Sequence, residues 1–363
     1  MHRQAGAVAA IDSARRPRLM LVHFWGSLHD LRGSVQQIID TQCRHLQGFD
    51  IAVAYVGEAQ PAQQIPGVEY FAFREDAWRN RCLNKILGLK VFTFSQLPRL
   101  IEAWRPDILH LHNRQETLPA LLKRLSYRPA CVLHYHRHFQ NPALPAADLC
   151  LLPSAASQAY FAQLHPHRPW QVLANPVDAQ ALAIAPLPAQ PAPGPARLLF
   201  SGGVQPGKGF DLLRAAVDAS MPVSVQVCGR DLERLQGLDA RWHLASYLQR
   251  PAYLRQLAEA EVVVLPSLTE SFGLAAMEAA AAARYLVLSD LPAFRELLPA
   301  DAAWFFRCAD VEDLRRALKE ALAARQAGDL RRPQAARAAA TAYDTAHFIA
   351  RLERLYQDLL DSR

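Results

Sequence analysis

The sequence is poor in cysteine, and its cysteines do not form closely spaced pairs. The six residues are scattered along 363 positions without a C-x-x-C spacing: Cys43, Cys82, Cys131, Cys150, Cys228 and Cys308. Zinc sites and redox motifs use closely spaced cysteines, and disulfides persist in oxidising compartments. The pattern therefore argues against a zinc site or a disulfide framework, and it favours free thiols in a reducing cytosol.

Long apolar runs are absent as well. No stretch approaches the roughly 20 apolar residues of a membrane-spanning helix. Residues 1–17 include basic residues but no continuous apolar core before a cleavage site, so we interpret them as a loose tail rather than a signal peptide. We expect a cytoplasmic protein that at most binds peripherally to the inner face of the cytoplasmic membrane.

The sequence shows no zinc-finger, RNA-recognition or helix-turn-helix pattern, so nucleic acid is not an expected partner. Apolar residues make up 51% and charged residues 20% of the chain, which is a globular balance, and 363 residues suffice for two domains. The net charge of +6 suits an anionic partner but does not choose between lipid headgroups, phosphorylated glycans and nucleic acid.

The chain is organised around residues 262–296. An apolar strand over 262–265 is followed by a polar turn, an Ala- and Leu-rich helix from about Phe272 to Ala283, and a second apolar strand over 285–288. Gly273, where the helix opens, lets a ligand approach the backbone amides closely. This order of strand, loop, helix start and strand is the layout in which parallel α/β sheets bind phosphates.

Glu278 is the unusual residue of this helix, because its neighbours from Leu274 onward are almost all Ala, Leu or Met. A helix that is apolar all round is buried, and a buried carboxylate costs several kcal/mol unless it is paired. Glu278 either points out through a gap, pairs with an arginine such as Arg284 or Arg295, or binds hydroxyl groups of a ligand. Spacing alone does not decide between these interpretations.

The stretch ESFGLAAME from Glu270 to Glu278 resembles the E-x7-E signature of retaining glycosyltransferases of family 4. The resemblance implies the GT-B fold, in which two Rossmann-like domains face each other across a cleft and a C-terminal helix crosses back to the first domain. It implies that Glu278 holds the ribose of a nucleotide-sugar, and that Glu270 is catalytic and holds the donor sugar. The intervening donor-binding residues are Ser271, Phe272, Gly273 and Leu274, whose amides bind the diphosphate.

A glycine-rich stretch opens the predicted second domain, over residues 202–209. It is not a P-loop, because Gly209 stands where Ser or Thr is required. It resembles the family's F-V-G-R-L-x-x-x-K-G, with Gly202 at the first glycine and Lys208 at the catalytic lysine that neutralises the diphosphate. The family's arginine falls on Gly203, which the resemblance places among the donor-binding residues beside Gly202. One of two cations is therefore missing unless another group, such as Arg230, replaces it.

Two predicted strands carry histidines at alternate positions, over residues 107–114 and 131–138. Strand periodicity puts His110 and His112 on one face, and likewise His134, His136 and His138. Alternating histidines are compatible with a metal site, but no Asp or Glu accompanies them, so we expect no metal. We interpret His110 as a core residue.

These histidine strands resemble a subgroup of family 4 that includes lipopolysaccharide-core N-acetylglucosaminyltransferases and spore-coat glycosyltransferases, although Gln115 replaces a usual proline. The resemblance implies that His136 is catalytic and contacts the donor sugar, and that Gly33 belongs to a glycine loop at the cleft. Gly33 with Ser34 is equally compatible with an ordinary turn and helix cap. The residues implied on the acceptor side are His112, Asn113, Arg114 and His134.

The predicted organisation is a first domain over residues 18–180, a Pro- and Ala-rich linker over 181–196, a second domain over 197–343 and a returning helix over 344–363. Residues 78–89 combine apolar and basic residues. They are interpreted either as a helix that lies on an anionic membrane surface or as a helix with an ordinary solvated side.

The function that follows is transfer of a sugar from a nucleotide-diphosphate sugar, such as UDP-GlcNAc or UDP-glucose, to a glycan or glycolipid of the cell surface, such as lipopolysaccharide. No cofactor or metal is expected, because Lys208 and helix amides take the role of a cation. The alternatives are a nucleotide-sugar 2-epimerase and a nucleotide-sugar- or glycan-binding protein that has lost catalysis. A dinucleotide oxidoreductase is disfavoured, since no G-x-G-x-x-G follows the first strand.

Overall fold

The structure is a computed structural model that describes residues 15–24, 33–57, 64–76, 80, 94–139, 145–183, 194–205, 207–246 and 248–363. The expected N-terminal tail, the predicted helix over residues 78–89 and most of the predicted linker lie outside the described residues, apart from Asn80 and the residues at either end. Within the described ranges, no helix combines the length and the apolar character that crossing a bilayer requires.

The first domain is built on a seven-stranded sheet. In chain order its strands are β1 Arg18–His23, β2 Asp50–Val56, β3 Val68–Phe73, β4 Ile108–His112, β5 Ala130–His134, β6 Leu149–Leu152 and β7 Gln171–Val172. They pair in parallel in the spatial order β3-β2-β1-β4-β5-β6-β7. The described helices of this part are α1 Ser34–His45, α2 Leu97–Trp104, α3 Leu118–Leu122, α4 Ala155–Leu164 and α5 Ala179–Ala183, with a 3-10 turn at Gln115–Thr117.

The second domain is built on a six-stranded sheet. Its strands are β8 Ala196–Ser201, β9 Val223–Gly229, β10 Trp242–Ser246, β11 Val262–Leu265, β12 Tyr285–Ser289 and β13 Trp304–Phe306. They pair in parallel in the order β10-β9-β8-β11-β12-β13. The helices are α6 Phe210–Ala216, α7 Arg250–Glu259, α8 Leu274–Ala281, α9 Pro292–Leu297, α10 Val311–Gln326, α11 Arg331–Ala340 and α12 Thr345–Asp361, with 3-10 turns at Leu232–Arg234 and Thr341–Tyr343.

The strands are short apolar runs because both faces of each sheet are covered. On β1, Leu19 and Leu21 pack in one core cluster, whereas Met20 and Val22 pack in the cluster on the opposite face. All four side chains are fully buried. A parallel sheet with helices on both faces requires this continuous apolar pattern, so the expectation of two Rossmann-like domains is confirmed.

The last helix, α12, returns to the first domain as expected. Asp344 caps it by accepting a hydrogen bond from the backbone N–H of His347 at 2.8 Å. Its apolar side, including Phe348, Leu352 and Tyr356, packs in the same core cluster as the β1 residues Leu19 and Leu21. The chain therefore ends on the domain in which it began.

Each sheet reverses its order of winding at one point, between β1 and β4 in the first and between β8 and β11 in the second. In open α/β sheets the loops beyond such a point separate and leave a crevice at the carboxyl ends of the strands. The histidine strand β5 ends at His134, four residues earlier than predicted. Helix α8 is also shorter than predicted, because Gly273 at its start and Ala283 just beyond its end both have left-handed backbone conformations.

Candidate active site

A cavity of about 590 Å³ lies between the carboxyl ends of the two sheets. The first domain contributes residues around Gly33 and His136 to its wall, and the second domain contributes the loops after β8, β9 and β11 together with the start of α8. Of the predicted donor-side residues, the cavity wall includes Gly33, Gly202, Lys208, Arg230, Glu270, Ser271, Phe272, Gly273, Leu274 and Glu278. The tertiary structure thus brings together residues that are up to 245 positions apart in the sequence, from Gly33 to Glu278.

Gly273 shapes the wall at the start of α8. Its φ is +99°, and a Cβ built on it would lie 2.4 Å from Cε1 of the Phe294 ring. Only glycine satisfies both the backbone conformation and the packing. The first amides of a helix have no partner within the helix and carry partial positive charge. Since Leu274 and Ala275 line the cavity, this helix start is suited to an anionic ligand.

Lys208 and Glu270, both predicted to be catalytic, form an ion pair. Lys208 Nζ donates to Glu270 Oε1 at 2.7 Å, and the hydroxyl of Ser267 donates to the same oxygen at 2.9 Å. The Glu270 side chain is 14% exposed and that of Lys208 is 34% exposed. The pair therefore places a largely buried carboxylate and a partly exposed cation side by side in the wall.

Gly203 does not line the cavity, although it was predicted to bind the donor. It is buried beneath the loop after β9, where its N–H donates to the carbonyl of Cys228 at 3.1 Å. Its φ is +64°, and a Cβ built on it would fall 2.4 Å from both the N and the O of Arg230. The side chain of Arg230, by contrast, is exposed and reaches the cavity wall.

Glu278 is buried and pairs with Arg250, whose Nη1 lies 2.5 Å from Glu278 Oε1. The two arginines considered from the sequence are engaged elsewhere. Arg284 donates to the carbonyls of Ala258, Ala260 and Ala282, whereas Arg295 pairs with Asp290 at 2.6 Å. Sequence reasoning missed Arg250 because only the tertiary structure brings the start of α7 to Glu278.

Tyr253, one turn further along α7 than Arg250, also lines the cavity. Burial, reinforced by the Glu278 carboxylate, raises the pKa of the Tyr253 hydroxyl well above its ordinary value. The hydroxyl therefore stays protonated at neutral pH, so this end of the cavity offers a neutral hydrogen-bonding group and an arginine–glutamate pair. No signal in the sequence marked Tyr253.

Four histidines, three of them buried and His136 partly exposed, form a group at the carboxyl ends of β4 and β5. His112 lies opposite His134 in the strand register, with His110 before it on β4 and His136 just beyond β5. The centroids of neighbouring rings are 4.0–5.5 Å apart. Burial is the main cause that lowers the pKa of each imidazole, to about 3 for His110 and His136. All four rings are therefore neutral at pH 7.

Only His136 of this group reaches the cavity. Its Nε2 lies 2.9 Å from Nδ1 of His112, and its backbone N–H donates to Oδ1 of Asn113 at 2.9 Å. The expected acceptor-side residues His112, Asn113, Arg114 and His134 are not among the described residues that line the cavity. Three of them contact His136 instead: His112 and Asn113 hydrogen-bond it, and the ring of His134 lies beside its ring with centroids 4.0 Å apart. Arg114 pairs with Glu116 at 3.4 Å.

His138 departs from the predicted alignment with His134 and His136, because β5 has already ended. Its ring stacks on Tyr160 with centroids 4.4 Å apart, and its Nε2 lies 3.0 Å from the Ser157 hydroxyl. It still lines the cavity beside His136. Burial lowers the pKa of His138, with Glu270 opposing the effect.

Ser271 joins the two domains at the cavity floor. Its carbonyl accepts hydrogen bonds from the hydroxyls of Ser154 at 2.6 Å and Ser157 at 2.9 Å, and its own hydroxyl donates to the carbonyl of His136 at 2.6 Å. The Glu270–Glu278 stretch is thus fixed directly to the backbone of the predicted catalytic histidine. Ser154 also caps α4, where its hydroxyl accepts a hydrogen bond from the backbone N–H of Ser157.

Comparison with protein families assigns each domain separately. Residues 35–181 match the family model described as Glycosyltransferase Family 4, and residues 195–324 match the one described as Glycosyl transferases group 1. No curated protein sequence matches the chain significantly. Each of the two domains that line the cavity therefore matches a glycosyltransferase family model.

Solved structures of similar fold extend over nearly the whole chain. Sucrose-phosphate synthase from Thermosynechococcus elongatus superposes with a TM-score of 0.73 at 16% identity, covering 95% of this chain and 100% of that one. Anabaena HepE, solved with UDP and glucose, gives 0.68 at 16% identity, covering 93% and 99%. The lipopolysaccharide outer core galactosyltransferase WaaB gives 0.66 at 13% identity, covering 94% and 99%. These similarities establish the GT-B fold.

Proposed function

We propose that this chain, with its two glycosyltransferase domains in the GT-B arrangement, transfers a sugar from a uridine-diphosphate sugar to a glycan or glycolipid with retention at the anomeric carbon. UDP-GlcNAc and UDP-glucose are the proposed donors. The observation that carries the proposal is the placement of two ion pairs, Lys208–Glu270 and Arg250–Glu278, on either side of the α8 start in one interdomain cavity.

The donor nucleotide fits the second-domain wall of this cavity. The diphosphate would lie at the start of α8, where partial positive charge and the Lys208 ammonium offset its charge. Glu278 would accept hydrogen bonds from the ribose hydroxyls, and Arg250 and Tyr253 flank it at the same end. HepE, which shares the fold, was solved with UDP and glucose, and this supports a uridine donor.

Lys208 and Arg230 are the proposed pair of cations on the leaving diphosphate. Both line the cavity, whereas position 203 cannot hold the arginine that the family resemblance implies. A bound diphosphate would compete with Glu270 for Lys208 and leave the Glu270 carboxylate for hydroxyls of the donor sugar. Charge building on the leaving oxygen is then offset by residues already in place, with no metal ion required at the diphosphate.

The chemical step we propose needs no protein nucleophile. The bond from the anomeric carbon to the phosphate oxygen breaks, the acceptor oxygen bonds to that carbon on the same face, and the acceptor proton passes to the departing phosphate. His136 approaches the donor sugar from the first domain, and as a neutral imidazole it can hydrogen-bond without adding charge. The acceptor enters from the first-domain side.

The acceptor we propose is a lipopolysaccharide core or another surface polysaccharide under synthesis at the inner face of the cytoplasmic membrane. Two observations support this choice. The histidine strands resemble those of the subgroup with lipopolysaccharide-core N-acetylglucosaminyltransferases, and the net charge of +6 suits an anionic acceptor. The basic residues within 78–89 would favour peripheral contact with anionic lipid.

The experiment is a thermal-shift screen of nucleotide-sugars with chelator or with magnesium. A donor at 100 times its dissociation constant stabilises the folded chain by about 2.7 kcal/mol. We expect one uridine-diphosphate sugar to stabilise the wild-type chain in the presence of chelator. Glu278→Ala should abolish this stabilisation by the donor. Glu312→Ala is the matched control, since this carboxylate is 79% exposed on α10.

Product analysis then separates the alternatives. Incubation of the stabilising donor with lipopolysaccharide-core acceptors should release UDP and give a glycoside with the donor's anomeric configuration. Inversion at C2 of the donor sugar without any acceptor would identify an epimerase. Binding without transfer to any acceptor in the panel would identify a nucleotide-sugar-binding protein, and failure to bind any nucleotide-sugar would overturn the proposed function.

A further inference from the structure

The buried histidines beneath the cavity carry an inference that does not depend on the proposed donor or acceptor. His110, His112 and His134 are each 0% exposed at the carboxyl ends of β4 and β5. His112 and His134 are directly opposite in register, and His23 on β1 lies opposite His112 on its other side. One row across three neighbouring strands is thus composed of histidine.

The ring nitrogens of this group are incompletely satisfied by the described residues. Nε2 of His110, Nε2 of His112 and both ring nitrogens of His134 have no hydrogen-bond partner among them. Buried polar atoms in folded proteins nearly always have a partner, because leaving one unpaired costs free energy. Four such nitrogens in one buried group call for a ligand that accepts lone pairs from several imidazoles.

The chemistry of the group selects the ligand. One ring nitrogen from each of His110, His112 and His134 lies within 4.8 Å of the others. Hard cations such as magnesium and calcium require oxygen ligands, which these three side chains do not supply. Neutral imidazoles suit zinc, copper, nickel and iron. Against the sequence-based expectation of no metal at these histidines, we propose that His110, His112 and His134 together bind one divalent transition-metal ion of this imidazole-preferring class, through one ring nitrogen each.

Hydrogen bonds already hold two of the three rings in a suitable orientation. His110 Nδ1 lies 2.5 Å from the hydroxyl of Tyr356 on α12, and His112 Nδ1 lies 2.9 Å from His136 Nε2. If each Nδ1–H donates, each Nε2 carries a lone pair. Metal-binding histidines typically donate their second ring N–H to a neighbouring acceptor in this way, which fixes the tautomer.

Coordination of one ion by all three histidines requires the ring of His134 to rotate. Two nitrogens on a tetrahedral ion with metal–nitrogen bonds of 2.0–2.1 Å are about 3.4 Å apart, whereas the three nitrogens now lie within 4.8 Å of one another. The rings of His110 and His134 are near-parallel, at 23°. Rotation of His134 about χ2, a torsion with broad minima, would turn a nitrogen toward the other two.

A metal here would join the core of the first domain to the cavity. Through Tyr356 the site contacts the returning helix α12, and through His112 it contacts His136 in the cavity wall. The ion would hold β4 to β5 and fix which nitrogen of His136 bears the proton. It is separate from the proposed diphosphate position at the start of α8 in the second domain.

The test uses the full chain without a histidine tag, stripped of metal by chelator and titrated with Co²⁺. We expect one Co²⁺ per chain with the intense visible absorption of a low-coordinate site, displaced by Zn²⁺. His112→Gln and His134→Gln should lose this absorption, whereas His167→Gln, which alters an exposed histidine, should keep it. Co²⁺ is added both to the native chain and during refolding, because a buried site in the native chain is not directly accessible to the ion.

Tyr356→Phe provides the second variant, in case a histidine substitution impairs folding. It removes one hydroxyl and leaves all three proposed ligands, and we expect metal affinity to fall about 10- to 100-fold. Lack of stoichiometric Co²⁺ binding by the refolded wild-type chain would overturn the proposal. Unchanged absorption in folded His112→Gln or His134→Gln, or unchanged affinity in Tyr356→Phe, would also overturn it.

Discussion

Gly203 lies against the backbone of Arg230, and this contact decides what position 203 can hold. A Cβ on Gly203 would fall 2.4 Å from both the N and the O of Arg230, and Gly229 is equally close, since its own Cβ would lie 2.2 Å from the N of Gly203. The loops after β8 and β9 therefore touch through backbone alone. The glycine that replaces the family's arginine is a requirement of this packing and not only the loss of a cation.

Restoring an arginine at position 203 should therefore harm the protein. We expect Gly203→Arg to lower the free energy of unfolding by at least about 2 kcal/mol, because it combines a left-handed backbone with a backbone clash. Gly48→Arg is the control, since a Cβ on Gly48 meets no atom within 4 Å. Denaturant unfolding of both variants is the measurement. A stable, more active Gly203→Arg would show that the loop opens readily and that the cation alone was missing.

Arg230 and Lys208 should each support catalysis without being equivalent. We expect Lys208→Ala to lower kcat by about 10²- to 10³-fold, since the lysine pairs with Glu270 and faces the proposed diphosphate. Arg230→Ala should lower kcat by about 10-fold or more, through loss of a second cation. Arg234→Ala, at a side chain 73% exposed, should leave UDP release unchanged. If Arg230→Ala keeps the wild-type kcat, Arg230 does not stabilise the leaving diphosphate. Lys208 and the amides at the start of α8 would then be the groups that offset its charge.

Local chemistry made the fold and the donor side predictable from the sequence. Strand β11 and Gly273 were recognisable because an apolar run and a glycine at the start of a predicted helix have strong sequence signals. Lys208 and Glu270 followed from the family resemblance, and the structure brings them within 2.7 Å of each other. Their proposed roles in binding the donor remain predictions.

Tertiary packing decided what the sequence could not show. Arg250 pairs with Glu278 because the tertiary structure brings the start of α7 to that carboxylate, and no periodicity links positions 28 residues apart. Strand period two also assumes that a strand continues, so it could not show that β5 ends at His134 and sends His138 to Tyr160. The contact of Ser154 with Ser271 joins two domains, and a helix-cap signal contains no information about a distant partner.

His138 should make the folded chain sensitive to mild acid. Burial lowers its pKa in the folded state below the ordinary value of 6.5. As pH falls below 6.5 the unfolded chain therefore binds this proton first, and the free energy of unfolding decreases. Urea unfolding at pH 7.5 and at pH 5.5 measures this effect. Between these two pH values, we expect the free energy of unfolding of the wild type to fall by up to roughly 1 kcal/mol more than that of His138→Gln. His167→Gln, at an exposed residue, should behave as the wild type.

Arg250 and Glu278 should be coupled in stability as well as in donor binding. Glu278 is 5% exposed as a side chain, so Arg250→Ala would leave a buried carboxylate without its cation. We expect Arg250→Ala to lower the free energy of unfolding by about 2–3 kcal/mol. This is less than for a fully buried pair, because the Arg250 side chain is 21% exposed. Arg255→Ala, an exposed residue on the same helix, should cost under about 0.5 kcal/mol.

A double-mutant cycle measures that coupling. Removing both side chains should cost less than the sum of the single losses, because no charge remains buried alone. A uridine sugar that hydrogen-bonds Glu278 should recover part of the Arg250→Ala loss, since its ribose hydroxyls replace one partner of the carboxylate. Additive single losses, with no recovery by nucleotide, would mean that Glu278 is held by the helix around it and not by its contacts in the cavity.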